Sequence, residues 1–152
     1  SLIAGTSEGE EGLAPGAEIL SIRVLDGEGN GDSFTVSRGI VEAVDRGAKV
    51  INLSLGSDTG SHVLENAIKY ARQKGAVIVA AVGNDGIRGV SFPARYEGVV
   101  GVTSVDAKGR QSAFANYGEG VDLAAPGIGV HAAWSDDEVV SFSGTSSSTA
   151  FP

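Results

Sequence analysis

The stretch Ala76-Val-Ile-Val-Ala-Ala-Val82 is an unbroken apolar run, and it decides the fold class. A run of this length and composition is typical of a strand that is buried on both faces of a parallel sheet. Lys49–Leu55 (KVINLSL) and Gly98–Val105 (GVVGVTSV) have the same character. Ala17–Leu25 (AEILSIRVL) is also predicted as a strand because of its apolar and β-branched content. The chain is therefore predicted to build a sheet from at least these four segments.

Two helical segments separate these strands. The first is predicted to begin at Asp32 or Ser33, both good N-cap residues, and to stop at Gly47. The second can be capped by Ser61 and ends at Gly75. Their core-facing residues, at helical spacing, are Val36, Ile40, Val41 and Val44 in the first and Leu64, Ala67, Ile68 and Ala71 in the second. The order strand, helix, strand, helix, strand, strand predicts an α/β fold with a mostly parallel sheet and right-handed crossovers.

In a sheet of this kind, functional sites form at the carboxyl ends of the strands. The segments to inspect are Gly27–Gly31, Ser54–Ser57, Gly83–Gly86 and the loop from Gly86 to Tyr96. The polar residues and glycines in these segments are consistent with loops that let a ligand backbone approach closely.

Composition excludes several classes of function. The chain has 152 residues, no cysteine and a formal net charge of −8. Its length suits one domain, predicted to cover residues 1–152, and its acidity argues against binding nucleic acid or an anionic membrane. No apolar run approaches the ~20 residues that cross a bilayer. Without cysteine there is no disulfide, thiolate nucleophile or zinc–thiolate site, and the redox compartment stays undetermined.

Ser143-Gly144-Thr145-Ser146 opens a polar cluster that predicts a strand-to-helix turn. A hydroxyl placed at the start of a helix can act as a nucleophile in a reaction that develops an oxyanion. A second candidate is Asn84, directly after the most buried strand, because its side-chain amide can donate to such an oxyanion. Taken singly, each has a plainer interpretation: a Ser/Thr-rich N-cap and an Asn-Asp-Gly turn.

Taken together, four segments are more specific, because they occur in the order seen in the subtilisin-like serine proteases. The segments are Gly12–Ala17 (GLAPGA), Val50–Gly56 (VINLSLG), Ala80–Asn84 (AAVGN) and Ser143–Ser146 (SGTS). The chain resembles that family over nearly its whole length. The resemblance implies a three-layer subtilisin-like fold, with the N-terminal part missing, and a serine endopeptidase activity on polypeptides. It also slightly favours an extracellular location.

The resemblance further implies roles for individual residues. Ser146 is similar to the catalytic nucleophile, and Asn84 to the side-chain oxyanion donor that acts with the backbone N–H of Ser146. Two stretches, Ser54-Leu55-Gly56 and Gly29-Asn30-Gly31, are similar to the edges that pair with the substrate backbone. Ala81-Val82-Gly83 and Ser91-Phe92-Pro93 are similar to walls of the pocket for the side chain before the cleaved bond.

The sequence contains no recognisable histidine that could act as the general base for Ser146. A serine nucleophile needs a histidine to remove its proton and a carboxylate to orient that histidine. The only histidines are His62 and His131, and neither has the His-Gly-Thr context of the family. The resemblance places the Asp and His segments upstream of Ser1, as part of the same protein, a separate chain or a propeptide. The isolated chain is therefore expected to be inactive.

No cofactor and no metal ligand are predicted. The acidic residues are interpreted as solvated turns, and calcium, which takes 6–8 convergent oxygens, is unsupported. These residues are Glu8, Glu10, Glu11, Asp136, Asp137 and Glu138.

Parts of the sequence are compatible with three other functions. A dinucleotide site fails because Phe34 stands where the third glycine of the fingerprint belongs. An α/β-hydrolase elbow fails because Ser148 stands where glycine is required. The third alternative is a non-catalytic protease-like scaffold that binds extended peptides. The absent His and Asp favour it if the chain is complete, whereas the pair Ser146 and Asn84 favours a protease.

Overall fold

The computed structural model describes residues 2–7, 10–133 and 138–152. Within them, the elements follow an α/β order and include a four-stranded parallel sheet. In chain order they are β1 (Thr6–Ser7), β2 (Glu10–Glu11), α1 (Ser33–Asp45), β3 (Val50–Leu53), α2 (His62–Gln73), β4 (Val77–Ala81), β5 (Val99–Val105), β6 (Leu123–Pro126), β7 (Val130–Ala133), β8 (Val139–Phe142) and α3 (Thr145–Ser148).

The sheet has the order β3-β4-β5-β6, so each strand lies beside its neighbour in sequence and all four are parallel. Register pairs Leu53 with Ala80 and Ala81 with Val102. The apolar run of β4 is buried in the middle of the sheet, as its composition predicts. The predicted α/β class is confirmed.

Apolar side chains form cores on both faces of this sheet. The larger one includes Ile40 of α1, Ile68 of α2 and Ile78 of β4. The smaller one joins Val79 and Val102 on the opposite face, where Phe151 packs against them. The sheet is therefore the middle of three layers, because α1 and α2 contribute to one core and the C-terminal segment to the other.

The predicted helix boundaries are confirmed, with one difference in the chemistry of a cap. Asp32 caps α1, its carboxylate accepting from the Thr35 backbone N–H at 2.8 Å and from the Thr35 hydroxyl at 2.8 Å. Ser61 precedes α2, but its side chain makes no capping bond. Instead its backbone N–H donates to the Tyr96 hydroxyl at 2.6 Å, and that hydroxyl donates to the Ser61 carbonyl at 2.9 Å.

The prediction of a strand over Ala17–Leu25 is wrong, because the structure assigns no strand there. Strand character needs a hydrogen-bonded partner, and within the described residues this segment pairs with none. Residues of this segment, of α1 and of β3 line one cavity of about 950 Å³. The lining is mixed: it includes apolar Ile22, Ile40 and Leu53 and polar Ser21 and Asn52.

A hairpin of β7 and β8 completes the described fold, and its antiparallel register pairs His131 with Ser141. The predictions made for Glu8, Asp136 and Asp137 fall outside the described residues. Among the residues that are described, no helix is both long and apolar enough to cross a membrane.

Candidate active site

Three segments that are distant in sequence meet at the carboxyl edge of the sheet. Ser54 follows β3, Asn84 follows β4, and Ser146 lies in the first turn of α3. Hydrogen bonds join the last segment to each of the other two across 92 and 61 positions of sequence. The rule that parallel strands end at one edge of a sheet predicted that Ser54 and Asn84 lie at the same edge, whereas the place of Ser146 beside them was implied by the family resemblance.

The Asn84 side chain is fixed by Thr145. Its Oδ1 accepts from the Thr145 backbone N–H at 2.8 Å and from the Thr145 hydroxyl at 2.9 Å. An acceptor is required at that position, because both partners are donors. The amide Nδ2 is consequently turned away from Thr145, and among the described residues it has no hydrogen-bond partner. Asn84 is exposed, so this N–H₂ group can reach a ligand.

Ser146 is held by its backbone, while its hydroxyl stays exposed. The Ser146 carbonyl accepts from the Thr149 hydroxyl at 2.7 Å and from the Ser54 hydroxyl at 3.0 Å. Those two hydroxyls are themselves 2.8 Å apart. The Ser146 hydroxyl makes a long contact, 3.4 Å, with the Ser54 carbonyl. The backbone is therefore anchored and the hydroxyl only weakly engaged.

Gly144 brings the two candidate oxyanion donors to one small volume. A methyl group built on Gly144 would lie 3.7 Å from Nδ2 of Asn84 and 3.8 Å from the backbone N of Ser146. The side-chain donor and the backbone donor therefore both lie within 3.8 Å of one point beside Gly144.

The edge after β3 is exposed at Ser54 and Gly56, as a surface that pairs with a peptide backbone must be. Beyond it, Ser57 and Phe92 form an antiparallel bridge with two hydrogen bonds of 2.9 Å. That bridge places the loop Ser91-Phe92-Pro93, which contains a cis peptide bond before Pro93, against this edge. Pairing of Ser54-Leu55-Gly56 with substrate stays a prediction.

The structure does not join Gly29-Asn30-Gly31 to this group by any hydrogen bond between described residues. These residues lie in a turn after the Ala17–Leu25 segment, where the Asp26 carboxylate accepts from the backbone N–H groups of Glu28 and Asn30, each at 2.9 Å. Gly31 has no room for a side chain, because a Cβ there would be 2.6 Å from Leu25 and 2.7 Å from the Val24 carbonyl. Its substrate role stays a prediction.

The predicted pocket walls differ in what they expose. The side chains of Ala81 and Val82 are buried, so only backbone groups of these residues could face a substrate. Gly83 has a φ of +111°, and a Cβ there would overlap the Asn116 side-chain amide. The bend that exposes Asn84 therefore requires glycine at position 83. A lining role for these three residues stays a prediction.

Sequence reasoning missed the residues that hold the site together. Thr145 and Thr149 lie in the polar cluster, yet composition gives no sign that one orients Asn84 and the other anchors Ser146. Asn116 makes a third contact with the site segment, since its Oδ1 accepts from the Asp85 backbone N–H at 2.9 Å. A signal was available only for Gly83, whose place directly before a polar turn residue is typical of a left-handed bend.

No general base contacts Ser146 within residues 2–7, 10–133 and 138–152. His62 is fully exposed at the start of α2, where its Nδ1 lies 3.7 Å from Glu65. His131 is exposed on β7. The described side chains also contain no group of three or more histidines and carboxylates arranged to hold a metal ion. The expectation of no cofactor stays a prediction.

Known proteins that are similar to this chain are serine proteases of one family. The model of the subtilase family, peptidase S8, matches residues 1–151. Thermitase from Thermoactinomyces vulgaris is 44% identical over 97% of this chain and 53% of its own length. A thermostable alkaline protease from Halalkalibacterium halodurans is 40% identical over 97% of this chain and 42% of its own length.

Solved structures agree. A patellamide maturation protease superposes with a TM-score of 0.92 at 30% identity, covering 98% of this chain and 58% of that one. A cold-adapted subtilisin-like serine proteinase superposes with a TM-score of 0.86 at 34% identity, and the match covers 92% of this chain and 52% of that one. The chain belongs to the subtilase family of serine peptidases, and the subtilisin-like fold is confirmed. It spans about half the length of the curated relatives it matches.

Proposed function

We propose that this chain carries the nucleophile and the oxyanion site of a serine endopeptidase. The observation that supports this most directly is that Asn84 Nδ2 and the backbone N of Ser146 both lie within 3.8 Å of one point beside Gly144, while Ser146 itself is exposed. A carbonyl oxygen placed there gains negative charge when Ser146 Oγ attacks its carbon. Two donors aimed at that developing charge lower the barrier, because they stabilise the transition state more than the ground state.

The reaction then proceeds in two halves. A base removes the proton of the Ser146 hydroxyl as Oγ bonds to the carbonyl carbon, and the same proton passes to the leaving amine as the peptide bond breaks. An ester of Ser146 remains. Water attacks that ester, gives its proton to the base, and the carboxylic product leaves with Ser146 restored to its hydroxyl form.

The base and its orienting carboxylate belong, in this proposal, to a segment N-terminal to Ser1. The cavity between the Ala17–Leu25 segment and β3 supports it. The edge of β3 away from β4 has no partner among the described residues, and the cavity of about 950 Å³ is lined by residues of both neighbours. A further strand inserted there would satisfy backbone groups on both sides. The segment could belong to the same chain, a separate chain or a propeptide.

Polypeptides in extended form are the proposed substrates. The exposed edge at Ser54 and Gly56 offers backbone groups, which recognise a peptide main chain whatever its sequence. Action outside the cell is proposed on the family resemblance alone.

The test compares this chain with the longer protein, meaning this chain together with its upstream segment. The isolated chain should show no turnover of a chromogenic peptide and should react poorly with a fluorophosphonate. The longer protein should do both, and Ser146→Ala should abolish both. Equal labelling of the two forms, or turnover that survives Ser146→Ala, would refute the proposal.

A non-catalytic scaffold that binds extended peptides is the second candidate. One observation favours it: the Ser146 hydroxyl contacts no base among the described residues. A scaffold predicts that the longer protein binds an unstructured peptide with equal affinity before and after Ser146→Ala, and that no cleavage product appears in mass spectrometry.

A further inference from the structure

Asn116 is a buried polar residue outside the predicted site, and its side chain is 1% exposed. It lies in the connection between β5 and β6, remote in sequence from Asn84. A buried carboxamide is costly unless its two donors and two acceptor positions are all used. The partners of this side chain therefore show what it is for.

All four hydrogen-bonding positions of the side chain are used on one short segment, Val82–Ile87. Oδ1 accepts from the backbone N–H of Asp85 at 2.9 Å and of Ile87 at 3.3 Å. Nδ2 donates to the Val82 carbonyl at 3.2 Å and to the Asp85 carboxylate at 3.4 Å. Asn84 lies between these partners, so the carboxamide fastens the chain on both sides of it.

The backbone of Asn116 also bonds to the bend and to the sheet. The Asn116 N–H donates to the Gly83 carbonyl at 3.1 Å. The Asn116 carbonyl accepts from the buried Thr103 hydroxyl at 2.8 Å, which ties the residue to β5. Gly83 fits the arrangement, because any side chain at that position would overlap Nδ2 of Asn116.

We infer that Asn116 is a positioning residue, which holds the Val82–Ile87 bend that carries the Asn84 amide. Thr145 fixes the side chain of Asn84, and Asn116 fixes the backbone that carries it. This inference rests on the proposed function, since its effect on turnover passes through the oxyanion role of Asn84. A displacement of a donor by a fraction of an ångström weakens a preorganised site.

Asn116→Asp is the sharpest variant, because it keeps the shape and both acceptor positions while removing both donors. An aspartate would face the Val82 carbonyl and the Asp85 carboxylate without an N–H to offer. Ser112→Ala is the matched control: Ser112 is also 1% exposed in the same connection, but its hydroxyl bonds to Ser104, away from the Asn84 bend.

The test is a double-mutant cycle in the longer protein, with kcat and KM measured on a chromogenic peptide. Asn84→Ala alone should lower kcat by about 10²–10³-fold, the loss that follows removal of the corresponding donor in subtilisin. Asn116→Asp alone should lower kcat by about 10- to 100-fold with little change in KM. In the Asn84→Ala background, Asn116→Asp should lower kcat by less than about threefold, because the donor that Asn116 positions is already absent. Ser112→Ala should leave kcat unchanged in both backgrounds.

The outcomes separate the positioning role of Asn116 from the oxyanion role of Asn84. Equal loss of kcat from Asn116→Asp in both backgrounds overturns the positioning role and leaves the proposed function standing. No loss of kcat from Asn84→Ala overturns the oxyanion role itself, and the inference about Asn116 with it. If Asn116→Asp does not fold, Asn116→Ser takes its place in the cycle, because its hydroxyl keeps one donor and one acceptor; the same non-additive loss is expected and additive loss overturns the role.

Discussion

Oδ1 of Asn84 accepts two hydrogen bonds from one residue, Thr145: the backbone N–H at 2.8 Å and the hydroxyl at 2.9 Å. Thr145 directly precedes Ser146, so the residue that orients the side-chain donor is joined by a peptide bond to the one that supplies the backbone donor. The relative placement of the two donors is therefore fixed over a very short path through Thr145, while Asn116 holds the backbone on the Asn84 side.

Thr145→Val tests that relationship. Valine keeps the shape and the backbone N–H but removes the 2.9 Å bond to Asn84. Loss of one neutral hydrogen bond, about 1 kcal/mol, should lower kcat of the longer protein about fivefold and leave KM unchanged. Steady-state kinetics on a chromogenic peptide measure both. A rise in KM at constant kcat would mean that Thr145 serves substrate binding instead.

Gly83→Ala should destabilise the fold more than an ordinary glycine substitution does. The φ of +111° costs a side chain about 1–3 kcal/mol, and overlap with the Asn116 amide adds about 1–3 kcal/mol. Gly75→Ala is the control, because Gly75 has a φ of +83° with open space around it. Urea unfolding of the longer protein measures both variants, and equal losses would contradict the close packing of Gly83 on Asn116.

Ser54→Ala and Thr149→Val should act together rather than independently. Both hydroxyls donate to the Ser146 carbonyl, so either one can satisfy it when the other is removed. Each single variant should cost about 1 kcal/mol of unfolding free energy, and the double variant more than the sum, because it leaves that carbonyl without these donors. Denaturant unfolding of the four proteins measures the coupling; strict additivity would show that the carbonyl does not depend on this pair.

The N-cap of α1 predicts a dependence of stability on pH. The Thr35 backbone N–H, and secondarily its hydroxyl, lower the pKa of Asp32 below its ordinary value of 3.8. A carboxyl whose pKa is lower in the folded state contributes stability above the unfolded pKa and loses it as the pH falls through the folded one. The melting temperature of the wild type should therefore exceed that of Asp32→Asn at pH 7, and the gap should close below pH 3.8.

A control for that experiment is Asp58→Asn, which removes one charge at an exposed position outside the helices. Its melting temperature over the same pH range shows how much the loss of one negative charge outside a helix cap changes stability. A gap for Asp32→Asn that persists unchanged at low pH would show that the charge of the cap contributes nothing.

The parts of this fold that depend on local pattern could be read from the sequence. The run Ala76–Val82 contains the buried strand β4, and Gly47 and Gly75 take the left-handed φ values of +92° and +83° that follow the two helices. The strand predicted over Ala17–Leu25 is absent, because β character in a sequence describes a surface that fits a sheet, whereas a strand also needs a neighbour.

Some residues of the candidate site could be identified from the sequence, and others could not. Asn84 follows a strand of the parallel sheet, where the topology places functional groups. The roles of Ser146 and Asn84 were implied by the resemblance of their segments to the subtilisin-like serine proteases, because taken singly each has a plainer interpretation. Thr145, Thr149 and Asn116 could not be identified, because their roles depend on hydrogen bonds over 3 to 61 positions that no spacing rule encodes. Common polar residues acquire such roles only from their three-dimensional partners.

The order of strands across the sheet, β3 to β6 in chain order, has a consequence for synthesis. Each strand can join the edge left by the one before it as the polypeptide emerges from the ribosome, so assembly can advance in one direction. Ser146 comes after all four strands, and two hydrogen bonds reach back from its segment: the Ser146 carbonyl accepts from the Ser54 hydroxyl after β3, and the neighbouring Thr145 N–H donates to Asn84 after β4. The hydrogen bonds that hold the Ser146 segment can therefore form only after the strands that precede their partners have been made.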